Sequence, residues 1–193
     1  DGRGRCVEEA GYFVADEATM TADQIRIGLS SLVKGNRYNW HDQAGDTSEQ
    51  NAEFSRFNVT PSGNSALEDY RNEANGYGYV VEIDPDNPAS VATKRTALGR
   101  FRHEVCIFGK LEAGKPILFY SGHDARFEYM YRYVSDANWD PADADRTDRL
   151  AVGAKYMDEG TLYVARFNVD GAGEWLPLTP ETATKDGSTL GDK

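Results

Sequence analysis

Hydrophobic and polar positions alternate most regularly in the second half of the chain, and this pattern predicts a series of β-strands. The candidate strands cover residues 105–108, 116–120, 129–134, 161–168 and 174–178. Glycine-rich connections separate them, and the Asp-Gly sequence within residues 169–173 is typical of a hairpin turn. Short strands that are joined by hairpins and separated by longer loops favour a mainly β fold, forming part of a β-propeller.

The first half of the chain carries one helical pattern and one further strand pattern. Thr21 and Gln24 fit a capping box, and the apolar residues that follow them lie on one helical face. Because Gly35 fits the end of a helix, a helix is predicted over residues 21–33. Residues 79–84 form an apolar run that ends in acids, which predicts a buried strand before a proline-rich turn.

A long polar segment, residues 36–75, lies between these two patterns and is rich in Asn, Ser and acids. We interpret it as a helical or irregular insertion, with a short helix near residues 66–74. The tail after residue 179 shows no pattern, so residues 180–193 are predicted to fray. Residues 1–193 are together predicted to form one partial β-propeller domain.

The net charge of the chain argues against some classes of binding partner. The chain has 32 acids against 21 Lys and Arg, which gives a formal net charge of -11. Nucleic-acid and anionic-membrane surfaces need clustered Lys and Arg, so neither partner is expected. No apolar run approaches the roughly 18 residues of a membrane-spanning helix. The abundance of carboxylates is compatible with the binding of hard cations.

The two cysteines, Cys6 and Cys106, are too few for a disulfide scaffold and lack the CxxC spacing of a redox or zinc motif. One disulfide between them and two free thiols are both compatible with the sequence. The cysteines therefore leave the redox compartment open.

A first cluster of candidate functional residues contains Arg100, Arg102, His103 and Glu104. A Glu beside a His can bind a cation while the His orients it or handles protons. Arg is a natural partner for a phosphate group. The alternative interpretation is an ordinary charged strand end that faces solvent.

A second cluster follows in residues 122–129 and contains Asp124 and Glu128 before a Tyr-rich strand. These acids could support a metal or contact a substrate. A salt bridge between Arg126 and one of the acids is the simpler structural alternative. Together, the two clusters supply His103, Arg102, Asp124 and Glu128 as candidate supporting or substrate-contacting residues.

Four stretches of the sequence then resemble one known family in order and in spacing. They are GYVVEIDP at 78–85, KRTALGRFRHE at 94–104, GHDARFEYMYRYVS at 122–135 and DEGTLYVARFNVDGAGEWLPL at 158–178. These stretches closely resemble the PhoX family of bacterial alkaline phosphatases. The N-terminal CVEEAGYF, at 6–13, is similar to the Cys-Glu-Glu segment of that family.

The resemblance implies a β-propeller that hydrolyses phosphomonoesters at an active site built from calcium and iron ions, Ca²⁺ and Fe³⁺. It also implies export to the periplasm or secretion beyond it. Carried over by position, Glu104 closes the family's Gly-Arg-Phe-x-His-Glu motif, and Glu9 is the second Glu of the Cys-Glu-Glu segment. Both residues are expected to be metal ligands.

The sequence departs from the family pattern in several places. A Cys-containing motif upstream and an Arg-Pro-Glu motif downstream are not in this chain, Cys6-Val7-Glu8-Glu9 has one extra residue, and His123 stands where an acid is usual. We therefore expect an incomplete portion of an alkaline phosphatase that needs the rest of the propeller, or another subunit. The alternative is a non-catalytic propeller module for binding or assembly.

Overall fold

The computed structural model describes residues 12–14, 17–26, 29–31 and 52–192. The chain divides into two compact units, Asp1–Gly78 and Tyr79–Lys193. None of the helices in the described residues is long and apolar enough to cross a membrane. The prediction of one partial propeller domain over the whole chain stays a prediction.

The described residues of the first unit form a small apolar core with short elements around it. Strand β1 (Phe13–Val14) pairs in parallel with β2 (Ser30–Ser31), and the short helix α1 (Ala22–Arg26) connects them. The described part of this unit also contains the 3-10 helices Glu17–Thr19, Ala52–Phe57 and Glu73–Gly76. The buried apolar side chains of its core, among the described residues, are Tyr12, Val14, Leu29, Val59 and Ala74.

Helix α1 begins as predicted but ends early. The Thr21 amide donates to Gln24 Oε1 at 2.8 Å, and the Gln24 amide donates to Thr21 Oγ1 at 3.2 Å, so the capping box is confirmed. The predicted end near residue 33 is wrong. Leu29 N donates to Gln24 O, five residues back, and the chain then enters strand β2.

The predicted short helix near residues 66–74 is replaced by turns around one carboxylate. Asp69 accepts hydrogen bonds from the amides of Ser62 and Gly63 and pairs with the Arg71 guanidinium at 2.7 Å. The Arg71 side chain, helped by these amides, holds the pKa of Asp69 well below its usual range. A side chain that binds nearby backbone amides in this way competes with helix formation.

The second unit is built on a five-stranded antiparallel sheet in the order β5-β6-β7-β8-β9. Its strands are β5 (Ile107–Phe108), β6 (Pro116–Gly122), β7 (Met130–Asn138), β8 (Gly160–Phe167) and β9 (Gly173–Pro177). All five strands fall where the alternation predicted them. Gly171, at φ +86°, completes the predicted hairpin turn between β8 and β9.

A separate hairpin precedes this sheet and pairs β3 (Val80–Glu82) with β4 (Thr93–Arg95). The prediction of a strand here is confirmed, but the strand is not fully buried. Val81 is 48% exposed and Ile83 is 66% exposed, so the apolar run borders solvent on one side.

A 3-10 turn (Pro141–Asp145) and helix α2 (Arg149–Met157) lie between β7 and β8. Asp140 caps the turn by accepting from the Ala142 amide at 3.0 Å. Tyr156, which is buried, donates its hydroxyl to Asp143 Oδ2 and thereby ties the helix to the turn.

A buried arginine fastens the β3–β4 hairpin to this helix. Arg95 is 2% exposed and forms ion pairs with Glu82 and, at 2.9 Å, with Asp158. Its guanidinium also donates to Leu150 O at 2.7 Å. The absence of a side chain at Gly153 is required, since a Cβ there would lie 2.1 Å from Glu82 Oε2.

Residues 179–192 form successive turns and a final 3-10 helix, Leu190–Asp192. The Thr184 amide donates to Ser188 O at 2.8 Å, and the Gly191 amide donates to Pro180 O at 2.8 Å. Whether this tail frays in solution stays a prediction.

Candidate functional site

The structure brings the two predicted clusters side by side in the second unit. His103 and His123 form an isolated antiparallel bridge. The Asp124 amide donates to Arg102 O at 2.9 Å, and the Glu104 amide donates to Gly122 O at 3.3 Å. Segments about 20 residues apart in sequence therefore form one site.

Glu104 offers a free carboxylate at this site. Its side chain is exposed, and within the described part of the chain it makes no hydrogen bond or ion pair. An unpaired, solvent-facing carboxylate is a suitable oxygen ligand for a hard cation. The structure therefore leaves Glu104 available for the role that the family resemblance gives it.

His103 is held as a structural support beside Glu104. Its ring stacks on Phe101 with centroids 3.7 Å apart, and its Nε2 lies 3.1 Å from Gly99 O. Nδ1 lies 2.8 Å from Ser121 Oγ. Burial lowers the pKa of His103, so we assign a neutral ring whose Nε2–H donates to Gly99 O. Nδ1 lies beside the Ser121 hydroxyl, which itself donates to Val105 O. Both ring nitrogens therefore face protein atoms, which favours an orienting role over proton transfer.

Arg102 and Asp124 form the exposed edge of the site. Arg102 Nη2 lies 3.5 Å from Asp124 Oδ2, and the Asp124 side chain is 62% exposed. A long, solvated pair of this kind contributes little to stability. The exposed Asp124 carboxylate can therefore leave this pair at low cost.

His123 and Glu128 form the buried side of the site. His123 Nδ1 lies 3.3 Å from Glu128 Oε2, and the two side chains are 4% and 13% exposed. The distance suits an ion pair with a protonated ring, but neither ring nitrogen has hydrogen-bonding geometry to a described residue. The predicted alternative, a salt bridge from Arg126, does not form among the described residues.

Cys106 lies next to the site and has a free thiol. Burial raises the pKa of this thiol, so it is a poor nucleophile at neutral pH. The other cysteine, Cys6, and the predicted ligand Glu9 lie outside the described residues. Among the described residues, no group of three or more His, Cys, Asp or Glu side chains is arranged to hold a metal ion.

Comparison with known proteins identifies relatives of this chain. The family model described as alkaline phosphatase PhoX matches residues 7–192. The chain belongs to the PhoX family. This confirms the resemblance inferred from the four sequence stretches.

A solved structure supports the same conclusion. The chain is similar to Pseudomonas fluorescens PhoX in complex with vanadate, a transition-state analogue, with a TM-score of 0.64 and 30% sequence identity. The match covers 95% of this chain and 28% of that one, so the chain spans about a quarter of the length of this PhoX structure. No curated protein sequence matches the chain. The predicted fold class, mainly β and part of a β-propeller, is confirmed.

The structural roles of two residues of the second unit could not be recognised in the sequence. Arg95 lies within the basic stretch that carries the family resemblance, yet it forms a buried ion-pair network. His123 looked like a departure from the family pattern, and the structure makes it the backbone partner of His103. Nothing in the local sequence around His103 or His123 indicates that the two residues would pair.

Proposed function

We propose that this PhoX-family chain contributes to a metal-dependent phosphatase that hydrolyses phosphomonoesters at a calcium and iron cluster. The observation that supports the proposal best is the Glu104 carboxylate, which is exposed, unpaired among the described residues and attached to a backbone fixed by the His103–His123 bridge. Family membership supports the reaction type.

The donor chemistry at Glu104 fits a hard cation, because calcium and ferric ions prefer carboxylate oxygens. Glu104 and Glu9 would be ligands. Such a cluster, when bound, holds a phosphate group and stabilises charge on its attacking and leaving oxygens. Glu104 supplies one ligand of the set, and the described residues do not complete it.

The neighbouring side chains have distinct proposed roles. Arg102 can release Asp124 and orient a phosphate oxygen, since a guanidinium binds such oxygens with paired N–H donors. Asp124 and Glu128 add negative potential near the metals. His103 orients the backbone that carries Glu104 through its contacts with Gly99 and Ser121.

We further propose that the remaining metal ligands come from outside this chain, from the rest of the propeller or from another subunit. The 28% coverage of the Pseudomonas fluorescens PhoX chain supports this. The proposed location is the periplasm or the exterior of a bacterial cell. A non-catalytic module for binding or assembly is the second candidate, favoured by the lack of a three-ligand cluster in the described residues.

The variant Glu104→Gln tests the proposal in the native protein. We expect hydrolysis of a model phosphomonoester to fall at least about 100-fold, because an amide is a weaker ligand for a hard cation. Glu181→Gln is the matched control, since Glu181 is exposed and makes no contact in the described part of the chain. Native protein without phosphatase activity would favour the non-catalytic module. Full activity in Glu104→Gln would show that Glu104 is not a ligand of the catalytic metals.

A further inference from the structure

Arg132 lies near the centre of one face of the five-stranded sheet. The strand register places it beside Tyr120 on β6 and Tyr163 on β8. Trp175 on β9 projects to the same face, because it lies two residues before Pro177, the register partner of Tyr163. These four residues, Tyr120, Arg132, Tyr163 and Trp175, are called the Arg132 clamp below.

Aromatic rings hold the guanidinium of Arg132 in place. Its Cζ atom lies 4.6 Å from the Trp175 ring centroid and 5.2 Å from the Tyr163 ring centroid. The Tyr120 ring is 6.1 Å from that of Trp175 and extends the aromatic surface. Stacking of this kind orients a guanidinium without using its in-plane N–H donors.

Those donors lack an acceptor. Arg132 is half-buried, its Nε is fully buried without a hydrogen-bond partner, and it forms no ion pair with any described residue. The adjacent positions on this face along β7, Met130 and Val134, are apolar. A half-buried cation without an acceptor is costly, so a ligand that supplies oxygen acceptors would be favoured.

Two other arginines of the same unit show the usual arrangement. Arg95 pairs with Glu82 and Asp158, and Arg166 pairs with Glu174 across β8 and β9. In a chain with a net charge of -11, acids are abundant, yet none of the described ones meets Arg132. The lack of an acceptor for the N–H donors of Arg132 is therefore particular to this face of the sheet.

We propose that the Arg132 clamp binds a small organic anion through its phosphate or carboxylate group. The planar fork of N–H donors matches either oxyanion in a two-pronged geometry. The rings of Tyr120 and Trp175 provide a surface for a flat organic part of the ligand. The proposal is independent of the proposed phosphatase function, because it uses no metal and none of the residues around Glu104.

Calorimetric titration tests this proposal with benzenephosphonate and with benzoate as probes, which separates a phosphate-type ligand from a carboxylate-type ligand. The titrations contain a chelator and are repeated in Glu104→Gln, so binding at a metal site cannot contribute. A parallel titration of ¹⁵N-arginine-labelled wild-type protein follows the Nε–H signal of Arg132, which is assigned from the spectrum of Arg132→Lys.

We expect at least one probe to bind and to shift the Arg132 signal. Arg132→Gln should weaken binding at least about tenfold, through the loss of charge-assisted hydrogen bonds. Arg132→Lys, which keeps the charge but not the fork, should weaken it less. Arg166→Gln is the matched control and should bind within about twofold of wild type, because that arginine is already paired. An unshifted Arg132 signal with both probes, or unchanged affinity in Arg132→Gln and Arg132→Lys, would overturn the proposal.

Discussion

At the scale of single residues, Asp143 is the most strongly supported carboxylate in the second unit. It accepts from Lys155 Nζ at 2.7 Å and from the Tyr156 hydroxyl at 2.5 Å, with Arg146 at 3.3 Å. Lys155 contributes most, and these partners lower the pKa of Asp143 to about 2. The charged carboxylate therefore stabilises the fold.

The direction of this pKa shift predicts how the stability of the fold changes with pH. Because the folded pKa is below the unfolded value near 3.8, the stabilisation is complete above about pH 4 and is lost as the pH falls to about 2. Asp143→Asn should be less stable than wild type at neutral pH, and the difference should shrink across this window. Urea unfolding of both proteins between pH 7 and pH 2.5 measures it. A difference that stays constant with pH would contradict the assignment.

The candidate site could be predicted only in part at this scale. The sequence GRFRHE identified Glu104 through its family resemblance, and the structure leaves that carboxylate exposed. The neutral, fully engaged state of His103 could not be predicted, because it depends on Ser121, which is 18 residues away in sequence. The same holds for His123, whose partner His103 is brought near by the pairing of β5 and β6.

At the scale of elements, the sheet was predictable and α2 was not. The sequence of strands β5–β9 alternates with a period of two, so local sequence determines them. Helix α2 has nine residues, and its contacts depend on Gly153 and Tyr156 rather than on a continuous apolar stripe. Helix α1 was predicted too long, because Leu29 is buried in the core after the helix has ended.

The Arg95 network yields a prediction about how these elements hold together. Arg95→Met should lower the free energy of unfolding by about 2 kcal/mol, less than the roughly 3 to 5 kcal/mol of a fully buried pair. The reduction is smaller because Asp158 is 43% exposed and can be hydrated.

The matched control for Arg95→Met is Arg149→Met, which removes an exposed arginine that pairs with Asp86 at 2.8 Å. A surface pair of this kind contributes at most about 1 kcal/mol. Chemical denaturation of the two variants checks the contrast. Equal losses in both would mean that Arg95 does not fasten the β3–β4 hairpin to α2.

At the scale of the whole molecule, the chain belongs to the PhoX family, yet its described residues contain no group of three or more His, Cys, Asp or Glu side chains arranged to hold a metal ion. Family membership rests on residues 7–192, whereas the similar PhoX structure is several times longer, since this chain covers 28% of it. A site assembled from distant segments explains both observations. In such a site each segment would supply one or two carboxylates, and the segment that contains Glu104 presents one exposed carboxylate.

The metal content of the native protein tests this account most directly. Calcium and iron should be measured by elemental analysis on wild type and on Glu104→Gln, with Glu181→Gln as the control. We predict both metals in wild type and in the control, and a clear loss of at least one of them in Glu104→Gln. Native protein without either metal, or metal content unchanged in Glu104→Gln, would contradict the proposed metal site.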